Sequence, residues 1–200
     1  MESLASARSL VVRQQKEWGE ILTGFEGVNR YVVSDESGRQ LYLAAEEPGS
    51  LLLRWFLKAL RPFTVAVLTE GRSVVLRVVR PFRFYFHQAQ VFDARGQSLG
   101  TIVRRFSLLR RVYSVLDGAG RETFQLFGPL LHPWTFRILQ HGVECGRITK
   151  KWSGLLKEGF SDADNFGVVF QPEWAVRTKA LFLGAVFLID FVHFENKGDR

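Results

Sequence analysis

Four residues late in the chain have the types and spacing to hold a divalent cation. Asp162, Asp164, Gly167 and Glu173 occupy positions 1, 3, 6 and 12 of a twelve-residue window. Carboxylates at such positions surround calcium in known loops, and the glycine allows the sharp turn. Position 5 is Phe166, which can offer only its backbone carbonyl. So few carboxylates on a flexible site predict weak binding, about millimolar. The same stretch also reads as a turn entering a strand. Asp162–Asn165 would then bind local amides, and Phe166, Val168 and Phe170 would alternate toward a core.

A second group is basic. Between Gly71 and Arg111 stand Arg72, Arg77, Arg80, Arg83, Arg95, Arg104, Arg105, Arg110 and Arg111, with Asp93 as the sole acid. On one shared face, Arg77, Arg80, Arg83, Arg104, Arg105, Arg110 and Arg111 would hold phosphates of anionic lipid headgroups. Arg83 lies within the aromatic run Phe82–Phe86, which suits a membrane interface. It also suits base stacking on single-stranded nucleic acid. The plain alternative is that these arginines solvate outward strand faces. The net charge of +7 favours anionic partners generally.

A third is Asp190, an acid inside the apolar stretch Ala180–Phe194. Such a group must be paired, neutral or near water. It either helps a polar headgroup past an apolar zone or is a satisfied core carboxylate, and the second is the commoner fate. Enzymatic signatures are absent. His87, His132, His141 and His193 lack metal-ligand spacing with one another or with Cys145. No nucleophile elbow, phosphate loop or dinucleotide fingerprint occurs.

The elements that must position these groups are mostly short strands. Tyr31–Ser34, Gln40–Ala44, Phe63–Leu68, Ser73–Arg80, Ala89–Phe92, Leu99–Arg105, Val112–Leu116, Thr123–Phe127, Trp134–Leu139 and Glu144–Lys150 are separated by turns rich in Asp and Gly. Within Ser73–Arg80, Val74, Leu76 and Val78 point one way and Val75, Arg77 and Val79 the other. Two helices are predicted, Ser50–Leu60 and Pro172–Glu195. The latter is apolar nearly all round from Ala180 to Ile189, so it must be buried. The apolar stretch is shorter than the about 20 residues of a membrane span. A closed antiparallel β-barrel of about 12 strands around this central C-terminal helix satisfies both demands in one domain. Neither a secretory leader nor a lipidation motif is visible, so a cytoplasmic protein is expected, peripheral to or inserted in the membrane.

The C-terminal third carries a specific resemblance. Gly146-Arg147-Ile148-Thr149-Lys150-Lys151-Trp152-Ser153-Gly154 is followed by Glu158 and Phe160, then by Asp162-Ala163-Asp164-Asn165-Phe166-Gly167. Lys179-Ala180 and Leu183-Gly184-Ala185-Val186-Phe187-Leu188-Ile189-Asp190-Phe191 come next. Arg80-Pro81-Phe82, Gly128-Pro129 and Gly24-Phe25-Glu26 with Tyr31 lie upstream. In order and spacing these blocks resemble the phospholipid scramblase family, over about Leu10 to Glu195. The resemblance implies a tubby-like barrel and calcium-responsive movement of phospholipids between the leaflets of a plasma membrane. It also implies a calcium set of Asp162, Asp164, Phe166, Val168, Phe170 and Glu173, and a central helix marked by Lys179, Leu183, Phe187 and Asp190. Eukaryotic members carry a proline-rich N-terminal region and a palmitoylated cysteine cluster after the Arg-Pro-Phe block. Here that stretch is Arg83-Phe84-Tyr85-Phe86-His87, so the chain looks like a minimal, bacterial relative. The competing expectations are a tubby-like module that binds phosphoinositide or nucleic acid without moving lipid, and a protein-interaction barrel.

Overall fold

Period-two alternation needs a second apolar layer to bury one face of each strand, and here a single helix supplies it. The computed structural model describes residues 1–15, 29–48, 61–83, 86–150 and 165–194. A short 3₁₀ turn, Glu2–Leu4, precedes the strands β1 (Ser9–Gln14), β2 (Arg30–Asp35), β3 (Gln40–Glu46) and β4 (Phe63–Leu68). There follow β5 (Val74–Arg80), β6 (Gln88–Asp93), β7 (Ser98–Arg105) and β8 (Arg111–Asp117). The sheet ends with β9 (Glu122–Gly128), β10 (Thr135–Gln140), β11 (Val143–Lys150) and β12 (Asn165–Val169), before helix α1 (Val176–His193). The twelve strands form a closed barrel in sequence order, shut by β1 against β12. Leu10 pairs with Val168 across that seam. The expected barrel and its central helix are therefore present. The expected helix Ser50–Leu60 lies outside the described residues.

Consecutive antiparallel strands place alternate connections at opposite rims. One rim carries tight turns built by one device three times. In Asp35–Arg39, Asp93–Gln97 and Asp117–Arg121 the aspartate Oδ1 accepts from the amides two and four residues on. The fourth residue is Gly38, Gly96 or Gly120, each with φ near +80°, a backbone that glycine adopts without steric cost. The other rim carries the longer connections, including those after β5, β7 and β9.

Two boundaries differ from expectation. β1 was not anticipated, although Leu10 and Val12 face inward as alternation requires. The last helix begins at Val176 rather than Pro172. Residues 171–175 are needed to turn the chain from the barrel wall onto its axis. Trp174 plugs that turn, with its ring 5.1 Å from those of Phe182 and Phe124.

The helix is buried on all sides from Lys179 to Phe191. Leu183 and Phe187 are fully enclosed, and Phe187 lies 5.0 Å from the ring of Tyr31. Lys179 reaches back from the first turn and donates to the carbonyls of Ala5 (2.9 Å) and Ala7 (2.8 Å). Burial pushes its ammonium pKa below the usual lysine range. The lysine thus pins the N-terminal segment across the tight-turn rim. At Gly184 the helix approaches the wall so closely that an added Cβ would stand 2.6 Å from Val91 Cγ2.

Candidate functional site

The C-terminal end of α1 emerges at the long-loop rim, and the polar groups of the interior collect there. Asp190 accepts from Tyr31 Oη at 2.8 Å and from Lys150 Nζ at 3.3 Å. It is the satisfied core carboxylate that burial demands. Lys150 also lies over the rings of Phe194 (4.3 Å) and Phe166 (5.2 Å). Beside this pair, Arg61 makes a bidentate contact with buried Glu46 and sits 4.2 Å above the Phe191 ring. Asn29 donates to the same carboxylate at 2.9 Å. Tyr113 shares a 2.7 Å hydrogen bond with His193 on the helix. Burial raises its phenol pKa above the usual range.

The seven arginines expected on one face do not share it, because strand alternation splits them across the barrel wall. Arg77 and Arg105 point outward. Arg77 pairs with Glu47 at 3.2 Å, and Arg105 with Glu122 at 3.0 Å and Ser114 at 2.7 Å. Arg80 continues the inward series of Leu76 and Val78 and is 1% exposed. Its Nη2 lies 2.6 Å from His87 Nδ1, and its guanidinium 5.6 Å from the Phe191 ring centroid. Arg104 stands opposite Tyr113 on the inward side of β7. Arg111 lies 4.6 Å over Phe136 and donates to the carbonyls of Pro129, His132 and Pro133, holding the β9–β10 loop. Only Arg83 and Arg110 of the seven are on the rim loops, both exposed. Arg110 stacks 5.4 Å over Phe127.

These inward cations act on His87. Burial, then Arg80 and Arg104, lower its pKa from 6.5 to about 4, so the folded protein keeps the ring neutral. Below pH about 6.5 the unfolded chain takes up a proton that the folded chain refuses. Stability should therefore fall as the pH drops from about 6.5 and level off near 4, by about 1–2 kcal/mol after allowing for solvent around a half-buried ring. Urea unfolding at pH 7.5 and 5 should show this component, and His87→Gln should remove it. Equal pH slopes in the two proteins would contradict the assignment.

Of the implied calcium set, four residues are described, and they do not lie together. Asp162 and Asp164 lie outside the described residues. Phe166, Val168 and Phe170 are buried inside the barrel. Phe166 and Val168 are also register-paired on both sides, with Val12 and Lys150 and with Leu10 and Ile148. Glu173 is exposed beyond the opposite end of β12. Four strand residues at about 3.4 Å each separate the two ends. The four described members of the set are therefore spread along β12 and beyond it.

The sequence reading missed a feature of this rim. Apolar side chains stand exposed on three successive loops: Phe82 and Phe86 after β5, Phe106, Leu108 and Leu109 after β7, and Leu130 and Leu131 after β9. Leu108 is 85% exposed and Leu131 86%. The signal was legible as two Leu-Leu doublets in turn-length connections, where polar residues are usual.

A family model described as Scramblase matches residues 1–196. The chain belongs to the scramblase family. It is 30% identical over its whole length to mouse phospholipid scramblase 1, of which it covers 65%. It is 29% identical to human phospholipid scramblase 1, covering 67% of it. To human phospholipid scramblase 2 it is 28% identical over 98% of this chain and 70% of that protein. This scramblase-family chain thus spans about two thirds of the length of these relatives. An X-ray structure of an Arabidopsis thaliana protein superposes with a TM-score of 0.51 at 14% identity, covering 93% of each chain. That likeness supports the tubby-like fold alone. No described helix is long and apolar enough to cross a membrane.

Proposed function

We propose that this chain acts at a phospholipid membrane, moves phospholipids between leaflets in both directions, and does so in response to calcium. The observation that carries the reading is family membership across residues 1–196, among relatives named phospholipid scramblases. Scrambling breaks no covalent bond. It requires only that a polar headgroup cross hydrocarbon at lower cost. The enclosed helix α1 bears on how. Its apolar surface is already buried in the barrel, so the lipid path involves the barrel's exterior and rim rather than a helix across the bilayer. Calcium responsiveness, if carried by this segment, falls to the acidic pair Asp162 and Asp164, because the other four members of the implied set are spread along β12 and beyond it.

The test is reconstitution of the full chain into vesicles carrying a fluorescent lipid, with chemical quenching of the outer leaflet, with and without calcium. The expected result is calcium-dependent loss of the protected inner-leaflet signal, abolished in Asp162→Ala/Asp164→Ala. Folded, vesicle-bound protein that leaves the protected signal intact would favour a second reading, a module that holds anionic lipid without moving it. The exposed arginines Arg83 and Arg110 support that alternative.

A further inference from the structure

The two rims of the barrel differ in polarity among the described residues. Among the described residues, seven of the nine large hydrophobic side chains that are exposed lie on the loops after β5, β7 and β9. Those loops span residues 81–87, 106–110 and 129–134, and they contain no aspartate or glutamate. The opposite rim carries the three aspartate turns described above, and among the described residues its exposed large hydrophobic side chains are Val143 and, at the end of β12, Val169, at 37% barely so. Because strand order in the barrel is sequence order, the three loops are successive neighbours around one rim.

We propose that this rim is the surface by which the protein docks on an anionic phospholipid bilayer, with the tips of the three loops inserted among the lipids. The inference rests on the membrane reading above and specifies the surface. Three observations argue for a bilayer. The apolar groups stand on separate tips rather than in one groove, and a fluid bilayer accepts separate wedges where a protein partner needs a continuous complementary face. Arg83 and Arg110 sit among the tips, placed to meet headgroup phosphates while neighbouring Phe and Leu side chains go deeper. The loop after β9 is also braced from behind. Arg111 ties three carbonyls of residues 129–133 to the barrel, and Trp134 stacks on Phe194 at 5.6 Å. Inserting that loop then costs little additional ordering of the chain.

The test uses the full chain and vesicles of phosphatidylcholine with and without phosphatidylserine, whose negative surface attracts cationic side chains. Leu108→Ser/Leu109→Ser and Leu130→Ser/Leu131→Ser should each weaken vesicle binding by about tenfold or more. Val143→Ser, on the opposite rim, should change it less than about twofold. In a Cys145→Ser background, a polarity-sensitive dye on Leu109→Cys or Leu131→Cys should be quenched by brominated lipid, and one on Val143→Cys should not. Vesicle binding with unquenched loop dyes and unaffected loop variants would overturn the docking surface while leaving the membrane reading intact. A complete lack of vesicle binding by the folded wild-type protein would overturn both. Lipid-free self-association that the same leucine substitutions abolish, with vesicle binding unchanged, would assign the rim to a protein contact and overturn the proposal.

Discussion

Asp190→Ala should lower the unfolding free energy by about 3–5 kcal/mol, the usual cost of taking one partner from a buried ion pair. The carboxylate is 3% exposed and takes hydrogen bonds from Tyr31 and Lys150. Removing it strands an ammonium in the barrel, with the faces of Phe166 and Phe194 as partial compensation. The paired replacement Asp190→Leu/Lys150→Met should cost clearly less than the sum of its single substitutions, because it removes both charges together. Urea unfolding of the four proteins measures the coupling directly. Additive single costs would mean that Lys150 and Asp190 are energetically independent.

Gly184→Leu should be nearly as damaging, at about 3 kcal/mol, the upper end of the usual cost of overpacking a core. Even a bare Cβ there would stand 2.6 Å from Val91, with Val78 at 3.5 Å and Ile102 at 3.7 Å. Those three residues belong to adjacent strands of a wall closed by hydrogen bonds, so the wall cannot simply hinge outward. Over about 200 residues such a loss lowers Tm by roughly 6–12 °C. Gly184→Ala should cost less, about 1 kcal/mol, because its Cβ meets the stiff β-branched Val91 while about 1 kcal/mol of helix propensity gained over glycine offsets part of the strain. Thermal unfolding separates the two. A Leu variant as stable as wild type would mean that the helix can slide within its sleeve.

The fold was largely legible because its signals are local. Alternation in Val74–Arg80 and the three aspartate–glycine turns are read within a few residues of one another. Leu10 and Val12 of β1 carry the same alternation, but no short turn joins β1 to its neighbour β2, and its other partner β12 is remote in sequence. Pro172 and Glu173 are good helix-start residues and point to a start four residues before Val176, whereas the barrel geometry demands that the chain turn first. The site was less legible. Arg80 shares the parity of Leu76 and Val78, so its inward direction was available, but charge composition alone put it with the surface arginines. The partners of Asp190 belong to β2 and β11, and no local pattern announces them.

The seam between β1 and β12 bears on how the chain is made. Leu10 meets Val168 only after all the intervening strands have left the ribosome, and the helix that fills the interior comes later still. Until then the strands that emerged first have an apolar face with nothing to cover it. Closure is therefore a late, long-range event, and refolding should be slow, on the order of milliseconds to seconds, as for other chains dominated by non-local strand pairing. Synthesis that stops before Val176 would yield strands without their core, a natural substrate for chaperones and proteases.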